Sequence, residues 1–199
     1  MKRDVKEALL EAATELISRS GAQPDQVTVR EIAGAAGVGA ALINYYFGSK
    51  EALISACVQR MLGEIIADCG TVLSETEGTP RERLRRLTCS TCAFLAKRPN
   101  LGRVSIRDDL ERDGYTEDNT NALMTAYLPV VRAACPGEPE HAVRWKTHLL
   151  VHGTQTAFLR KESIRERMGL NFDVTEDREE IVDQIMDILF PVNDEEEKR

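Results

Sequence analysis

Residues 28–53 read TVREIAGAAGVGAALINYYFGSKEAL, and this stretch decides the fold of the first third of the chain. It predicts two short helices joined by a sharp turn and followed by the start of another helix. Thr28 and Glu31 form a capping box, which satisfies two otherwise unpaired N–H groups where the first of these helices begins. Gly37 supplies the positive φ that the turn requires, and Ser49 is placed to cap the helix that follows.

The second helix of this pair is predicted over about residues 39–46, with its inward anchors at Leu42 or Ile43 and at Phe47. The rest of that helix faces outward, and its neighbours hold it in place. An exposed and rigid helix is what a protein needs to enter the major groove of DNA, so the stretch favours nucleic-acid recognition. The alternative is an ordinary helical hairpin with no DNA contact.

The charge distribution is compatible with this function without being strong evidence for it. The chain of 199 residues carries a net charge of −7. Residues 1–62 hold seven basic and seven acidic residues, so the whole excess of negative charge lies in the remainder. The acidic region after residue 62 would be repelled by DNA. One end of the electrically neutral region 1–62 is therefore left as the contact surface.

Composition bounds the class of protein. No apolar run approaches the ~20 residues needed to cross a bilayer, and the charged N-terminus has no apolar segment behind it. We therefore predict a cytoplasmic protein without a membrane partner. The five cysteines are expected to be reduced thiols, mostly buried. Cys89 and Cys92 lie in mid-helix, which disfavours redox catalysis.

Apolar residues recur at helical spacing along the chain and no segment alternates convincingly at period two, so we predict an all-α fold. Thr79-Pro80-Arg81-Glu82 is a strong helix start, and Thr175 is predicted to cap the last helix. About nine helices are expected in total. A long helix is predicted from Ser49 to about residue 73. The helices predicted after it span about residues 80–98, 101–113, 116–135 (with Pro129 inside), 140–168 and 176–190.

The string from Thr28 to Leu53 resembles the tetracycline-repressor (TetR) family of transcription regulators. The matching segments are Thr28–Ala33, Gly37-Val38, Leu42–Phe47 and Gly48–Leu53, with a helix at the correct distance before them. The resemblance implies a DNA-binding domain over residues 1–50 with a helix-turn-helix at 28–47. It also implies a ligand-binding and dimerisation domain over residues 51–199, which matches the family only in helix count and length.

The resemblance also implies a function: a homodimer on a palindromic double-stranded DNA operator, most often a repressor, which an unknown small-molecule ligand releases. Carried over residue by residue, phosphate contacts fall on Thr28, Arg30 and Lys50, and Tyr45 and Tyr46 touch backbone or bases. Base edges would face Gly39, Ala40, Ala41, Leu42 and Asn44. Many relatives carry polar or basic residues where this chain has Ala40 and Ala41, so DNA shape is expected to supply part of the specificity.

The C-terminal region supports two weaker hypotheses. The last two helices, about 140–168 and 176–190, are predicted to form a four-helix dimer interface, with burial inside one subunit as the alternative. Larger amphipathic side chains that could line a ligand cavity are Phe94, Arg107, Tyr127, Trp145 and His148.

The three histidines, His141, His148 and His152, fall on one face of the same predicted helix. His148 and His152 have chelating spacing, but a packed or interfacial face is the preferred interpretation, and we predict no metal, no cofactor and no enzymatic activity. The alternatives are a helical metal-dependent enzyme that uses this face, or a helical module that binds protein.

Overall fold

The computed structural model describes residues 4–19, 26–111 and 119–191. These residues form ten α-helices and no strand, so the all-α prediction is confirmed. The helices are α1 Val5–Arg19, α2 Val29–Ala36, α3 Ala41–Phe47, α4 Lys50–Ser74, α5 Pro80–Lys97, α6 Pro99–Glu111, α7 Asn119–Ala134, α8 Glu140–Leu159, α9 Lys161–Met168 and α10 Thr175–Leu189.

The chain divides into two compact units. Unit 1 comprises residues 1–63 and 97–112, and unit 2 comprises residues 64–96 and 113–199. Helix α4 therefore contributes its first half to unit 1 and its last turns to unit 2. In the part of the chain with described coordinates, no helix combines the length and hydrophobicity that crossing a bilayer requires.

Unit 1 is built around α1, which packs against α2 and α6. Its apolar stripe is buried as the 3.6-residue period predicts, with Leu9, Ala13 and Ile17 fully shielded from solvent. On the α6 side, Asn100 Nδ2 donates a hydrogen bond of 2.9 Å to the Ile17 carbonyl near the end of α1. The α1 helix thus supplies the base on which α2 rests, and α2 in turn contacts α3.

Unit 2 is a helical layer in which α8 packs against both α7 and α10. Phe158 and Phe172 are fully buried, with ring centroids 5.7 Å apart. Helix α5 is tied to α10 by ion pairs, of which Arg85 with Asp183 is one and Arg81 with Asp187 (2.5 Å) another. The helix start that the sequence predicts at Thr79 is confirmed, and it is a capping box: Glu82 N donates to Thr79 Oγ1 at 3.2 Å and Thr79 N donates to Glu82 Oε2 at 2.7 Å.

Two expectations about the last third of the chain are wrong. The helix predicted over 140–168 is interrupted at Arg160, where φ is −106° and ψ is 26°, so α8 and α9 are separate helices. No glycine or proline marks this break, and α9 buries none of its residues, so no core face holds it in line with α8. Thr175 is not a cap: Val174 occupies that position, and the Thr175 hydroxyl accepts a hydrogen bond from Arg178 instead.

The remaining boundaries agree within a few residues. Helix α5 ends at Lys97 and α6 begins at Pro99, because proline fits the first position of a helix, where its missing N–H is not needed. The predicted stop at Gly114 and start at Thr116 lie outside the described residues. Pro129 lies inside α7, and Gly169 ends α9 with a positive φ of 74°.

Candidate nucleic-acid interface

The N-terminus of α2 is closed by the predicted capping box. Glu31 N donates to Thr28 Oγ1 at 3.2 Å, and both the backbone N and the hydroxyl of Thr28 donate to Glu31 Oε2 at 2.7 Å. The hydrogen bond from the Thr28 backbone, followed by that from its hydroxyl, lowers the pKa of the Glu31 carboxyl. The backbone N–H and the hydroxyl of Thr28 both donate to Glu31, so a phosphate at this position would have to replace Glu31 as the acceptor of one of them.

The turn between α2 and α3 depends on Gly37. Its φ of 71° and ψ of 31° lie in the left-handed region, which costs a residue with a Cβ free energy. The next residue, Val38, donates its N–H to the Ala33 carbonyl at 2.9 Å, which completes the helix end. The chain can therefore reverse direction within a few residues and present α3 beside α2.

Helix α3 has a buried face and an exposed face. Ile43 is 0% exposed and is the anchor, which resolves the choice between Leu42 and Ile43, because Leu42 is only half-buried. Phe47 is also half-buried, so its predicted core position is corrected: one side of its ring lies near Lys6 of α1. On the outward face Asn44 is exposed and Tyr45 is 79% exposed.

The start of α4 adds a cation to this region. Ala52 N donates to Ser49 Oγ at 3.0 Å, so Ser49 caps the helix as the sequence predicts. Lys50 follows it, and its Nζ lies 3.1 Å from the Val27 carbonyl oxygen. Because Val27 directly precedes Thr28, this hydrogen bond places the Lys50 ammonium beside the N-terminus of α2.

The residues predicted to contact DNA thus lie in one continuous stretch of unit 1, and none of them is buried. All ten are exposed or half-exposed, and they lie on α3, in the turn before it, and at the starts of α2 and α4. The full set is Thr28, Arg30, Gly39, Ala40, Ala41, Leu42, Asn44, Tyr45, Tyr46 and Lys50. Their contact with DNA stays a prediction.

Lys6 was not predicted to lie near the candidate interface. Its Nζ lies 5.8 Å from the centroid of the Phe47 ring, at the C-terminal end of α3. This cation–π contact joins residues far apart in the chain, so no local pattern could have indicated it. Lys6 is an additional cation at the rim of the candidate interface.

The residues predicted to line a ligand cavity are not gathered in one place. Tyr127 of α7 is buried, with its hydroxyl 2.7 Å from Thr91 Oγ1, and Phe94 of α5 is half-buried. Trp145 and His148 lie together on the exposed face of α8, with ring centroids 5.5 Å apart. Arg107 is exposed on α6 and belongs to unit 1, whereas the other four belong to unit 2.

An open cleft in unit 1 involves none of those five residues. Polar and charged side chains of α1, α4 and the junction of α5 with α6 surround it, namely Glu11, Thr14, Glu15, Ser18, Arg60, Lys97 and Arg98. Arg60 spans part of it, donating to Glu7 Oε1 at 2.7 Å and to Thr14 Oγ1 at 2.8 Å. The cleft is thus braced by polar contacts between α1 and α4.

All five cysteines are free thiols, as predicted, and four of them are buried. Burial raises the pKa of Cys92 to about 12 and also raises the pKa of Cys89. A thiol with a raised pKa holds little of the reactive thiolate, which agrees with the sequence argument against redox catalysis at this pair.

Two family models match the chain. Residues 9–57 match the model described as bacterial regulatory proteins, tetR family, which covers the helices of the candidate interface. Residues 100–190 match a second model, described as tetracyclin repressor-like, C-terminal domain. The two matches account for most of both units.

Curated relatives are similar over part of the chain. The HTH-type transcriptional regulator BetI of Rhizobium meliloti (strain 1021) is 40% identical over 82 residues, which are 41% of this chain and 39% of that protein. BetI of Brucella anthropi is 42% identical over 76 residues, 38% of each chain. The matched region thus spans about two fifths of the length of these relatives.

Solved structures share the fold over nearly the whole chain. A tetR-family transcriptional regulator from Streptomyces coelicolor has a TM-score of 0.65 at 22% identity, over 96% of this chain and 84% of the other. The TetR-family regulator PfmR from Thermus thermophilus has a TM-score of 0.61 at 14% identity, over 98% and 99%. Each of these relatives is named as a transcriptional regulator, which gives the enzyme alternative no support.

Proposed function

Because this chain belongs to the TetR family of bacterial transcriptional regulators, we propose that it acts as a homodimeric repressor on a palindromic operator. In this proposal residues 1–50 form the DNA-binding domain, which continues into α4. Residues 51–199 hold the dimer interface and bind a small molecule that releases the operator. A protein that acts on bacterial DNA would work in the cytoplasm.

The observation that carries the proposal is the two-sided character of α3. Ile43 is fully buried while its neighbours Asn44 and Tyr45 are exposed, so the helix is anchored on one side and open on the other. The major groove of B-DNA is ~12 Å wide and accepts one α-helix with its side chains. Helix α3 therefore has the rigidity and the free surface of a recognition helix.

Phosphate contacts would surround this helix. The N-terminus of α2 carries the partial positive charge of a helix dipole, and exposed Arg30 lies in its first turn. Lys50, held against the Val27 carbonyl, adds a cation at the same place. With so few cations, the affinity for DNA should fall less steeply with salt than that of a strongly basic protein.

Base readout would rest on a small set of side chains. The Asn44 amide can both accept from and donate to adenine in a bidentate pair, and Ala41 can offer a methyl contact to thymine. Tyr45 and Tyr46, whose rings meet edge to face with centroids 4.9 Å apart, present a stiff aromatic pair to the backbone or to bases. DNA shape would supply the remaining specificity.

The dimer would form through the exposed face that α8 and α10 share. Trp145 and Leu149, four residues apart on α8, are 62% and 50% exposed, and Ile188 on α10 is 78% exposed. Gly153 marks where α8 faces α10, since a Cβ there would meet Ile185 Cδ1 at 3.8 Å, an ordinary packing distance. An apolar surface spread over two packed helices favours pairing with a second copy about a twofold axis.

Ligand release would act through the helical body. The buried Tyr127 and Thr91 hydroxyls of unit 2 are polar groups that a small molecule could engage between helices. If the ligand binds more tightly to a form of the dimer in which the two α3 helices are not spaced to fit the operator, it shifts the equilibrium toward that form and releases the DNA.

The test is a fluorescence anisotropy titration with DNA taken from upstream of the protein's own gene and with random DNA of equal length, at several salt concentrations. We expect tighter binding to the upstream DNA and a shallow salt dependence. Equal affinity for both DNAs would contradict the proposal. Asn44→Ala and Lys50→Ala should weaken operator binding, whereas a module that binds only protein would be indifferent to both changes.

A further inference from the structure

The open cleft of unit 1 contains a hydroxyl group whose hydrogen-bonding capacity is unused. Ser18, in the last turn of α1, lines the cleft, and its Oγ is buried without a hydrogen-bond partner among the described residues. Thr14, one turn earlier on the same face of α1, is fully engaged: its Oγ1 donates to the Leu10 carbonyl and accepts from Arg60 Nη2, each at 2.8 Å. A buried hydroxyl without a partner costs free energy, so its presence beside a cleft points to a ligand that pairs with it.

The cleft has the size of a small-molecule site, and hydrogen bonds hold its walls together. Its volume is about 530 Å³, within the ~300–1,000 Å³ range of ligand pockets. Arg60 of α4 donates to Glu7 of α1 at 2.7 Å, and Asn100 of α6 donates at 2.9 Å to the carbonyl of Ile17, the residue before Ser18. All seven lining residues belong to unit 1, so the cleft is complete within one compact unit.

The charged groups of the cleft favour an anion. Three cations, Arg60, Lys97 and Arg98, and two carboxylates, Glu11 and Glu15, line it, so the lining has a net charge of +1 in a chain whose net charge is −7. Both carboxylates interact within the chain, as do Arg60 and Arg98. Lys97 is exposed and has no ion pair with any residue that the structure describes. The two groups left for a ligand, this ammonium and the buried hydroxyl, are both hydrogen-bond donors.

We propose that the cleft binds a small organic anion, whose carboxylate or phosphate group accepts hydrogen bonds from the Ser18 hydroxyl and the Lys97 ammonium. Rotation about χ1 is enough to turn the serine hydroxyl toward the ligand. The methylene groups of Arg60 and Lys97 would cover the rest of the molecule. This site is separate from the ligand site proposed in unit 2 near Tyr127 and Thr91, and it does not depend on that site.

The experiment titrates the isotopically labelled full chain with hexanoate, hexyl phosphate and hexanamide at constant ionic strength, and records amide chemical shifts by NMR. The three probes share a tail and differ in the head group. With at least one of the two anions we expect saturable shifts around Ser18 and at residues 97–98, with a Kd in the millimolar range. The neutral amide should give no saturable shift, and the more tightly bound anion identifies the head group.

Ser18→Ala separates ligand binding from stability. It should weaken anion binding by about 2- to 10-fold, as expected for the loss of one hydrogen bond. The thermal unfolding midpoint of the free protein should stay the same or rise, because the lost hydroxyl has no partner and alanine is the better helix former. A hydroxyl with a purely structural role would give a lower midpoint instead.

Lys97→Gln should weaken anion binding by about 2- to 5-fold, the range for an exposed ion pair. Arg107→Gln is the matched control, since it removes the same charge from an exposed position on α6 that does not line the cleft. It should leave the anion affinity unchanged.

The absence of saturable shifts with both anions, or equal binding of hexanamide, would overturn the site. Full affinity in both the Ser18→Ala and the Lys97→Gln variants would do the same. Shifts confined to the surroundings of Tyr127 would assign the anion to unit 2 and leave the proposed function standing. The titration contains no DNA, so its failure is independent of operator binding, which the anisotropy measurement tests.

Discussion

Ile43 and Asn44 are neighbours in the sequence, yet they have opposite roles in α3. The Ile43 side chain is fully buried and fixes the helix to unit 1, whereas Asn44 is exposed and available for a base edge. The helical rotation of ~100° between consecutive residues separates the two functions on one short element. Substitutions at these two positions should therefore separate stability from recognition.

Asn44→Ala is expected to weaken binding to operator DNA by about 5- to 150-fold, because a bidentate pair contributes about 1–3 kcal/mol of discrimination. The affinity for random DNA should change little, because contacts with phosphates, which do not depend on the base sequence, supply most of that affinity. Anisotropy titrations with both DNAs measure the two effects in one protein. An equal loss on both DNAs would show that Asn44 does not read a base.

Ile43→Ala is expected to lower the free energy of unfolding by about 2–5 kcal/mol, because it leaves a cavity where a fully buried side chain packs. Ile43→Val should cost only about 0.5–1.5 kcal/mol. Urea denaturation followed by circular dichroism gives both values. A loss below about 1 kcal/mol for the alanine variant would mean that α3 is not anchored by this residue.

At the scale of elements, the short helix α2 and the longer helix α5 begin with the same capping motif. Thr28 with Glu31 and Thr79 with Glu82 form equivalent capping boxes, with hydrogen bonds of 2.7 and 3.2 Å in each. Only the first lies beside the proposed DNA surface. The two boxes therefore form a matched pair for separating helix stability from DNA contact.

Thr28→Ala and Thr79→Ala should each lower the free energy of unfolding by about 0.5–2 kcal/mol, since each removes an N-cap side chain. Only Thr28→Ala should also weaken operator binding, because the first turn of α2 is part of the proposed interface. Thr28→Ser should restore both properties. If Thr79→Ala reduced operator affinity as much, the loss would reflect stability alone.

The ion pair between α5 and α10 predicts an effect of pH on stability. Hydrogen bonds from Arg85, reinforced by its charge, lower the pKa of Asp183, and Arg85 Nη2 lies 2.8 Å from Asp183 Oδ2. The pKa of this carboxyl is ~3.9 in the unfolded chain and lower in the folded protein. The carboxylate therefore stabilises the folded protein at any pH above ~3.9, and this stabilisation is lost as the pH falls through the pKa of the folded state.

Asp183→Asn should therefore destabilise the protein at neutral pH by about 1 kcal/mol or less, as expected for a partly exposed pair. The difference from the unmodified protein should narrow as the pH falls below ~4. Urea midpoints at neutral and acidic pH measure the change. A difference that stays constant with pH would rule out a contribution from this carboxylate.

At the scale of the whole molecule, exposed apolar residues in the two units have different meanings. Leu110 on α6 is 72% exposed, whereas Leu149 on α8 is 50% exposed and lies in the same face as Trp145. A single exposed leucine needs no explanation, but several exposed apolar side chains on two packed helices favour an interface. Unit 2, not unit 1, is therefore expected to bring two chains together.

Leu149→Asp should dissociate the dimer, because it buries an unpaired charge in the proposed interface. Leu110→Asp is the matched control and should leave the dimer intact. Sedimentation velocity at several concentrations distinguishes the two. Operator affinity should fall with loss of the dimer, since each chain then contacts one half-site only. An unchanged dimer in the Leu149→Asp variant would exclude this face.

The local features of the candidate interface could be read from the sequence. The capping box of α2, the left-handed Gly37 and the cap at Ser49 depend on residues within four positions of each other, and all three are confirmed. The family resemblance rests on the same stretch, which is why the fold and the class of protein followed from it. Composition and helical periodicity were enough for the all-α class.

Only the tertiary structure decided which side chains those elements bury and that the helix predicted over 140–168 is broken at Arg160. The choice of Ile43 over Leu42 and the half-buried position of Phe47 depend on neighbours that are distant in the chain, such as Lys6 beside the Phe47 ring. The bond between Arg85 and Asp183 joins residues 98 positions apart. Capping and turn geometry are set by short-range hydrogen bonds, whereas burial and ion pairing are set by whatever the folded chain brings alongside, which no local pattern specifies.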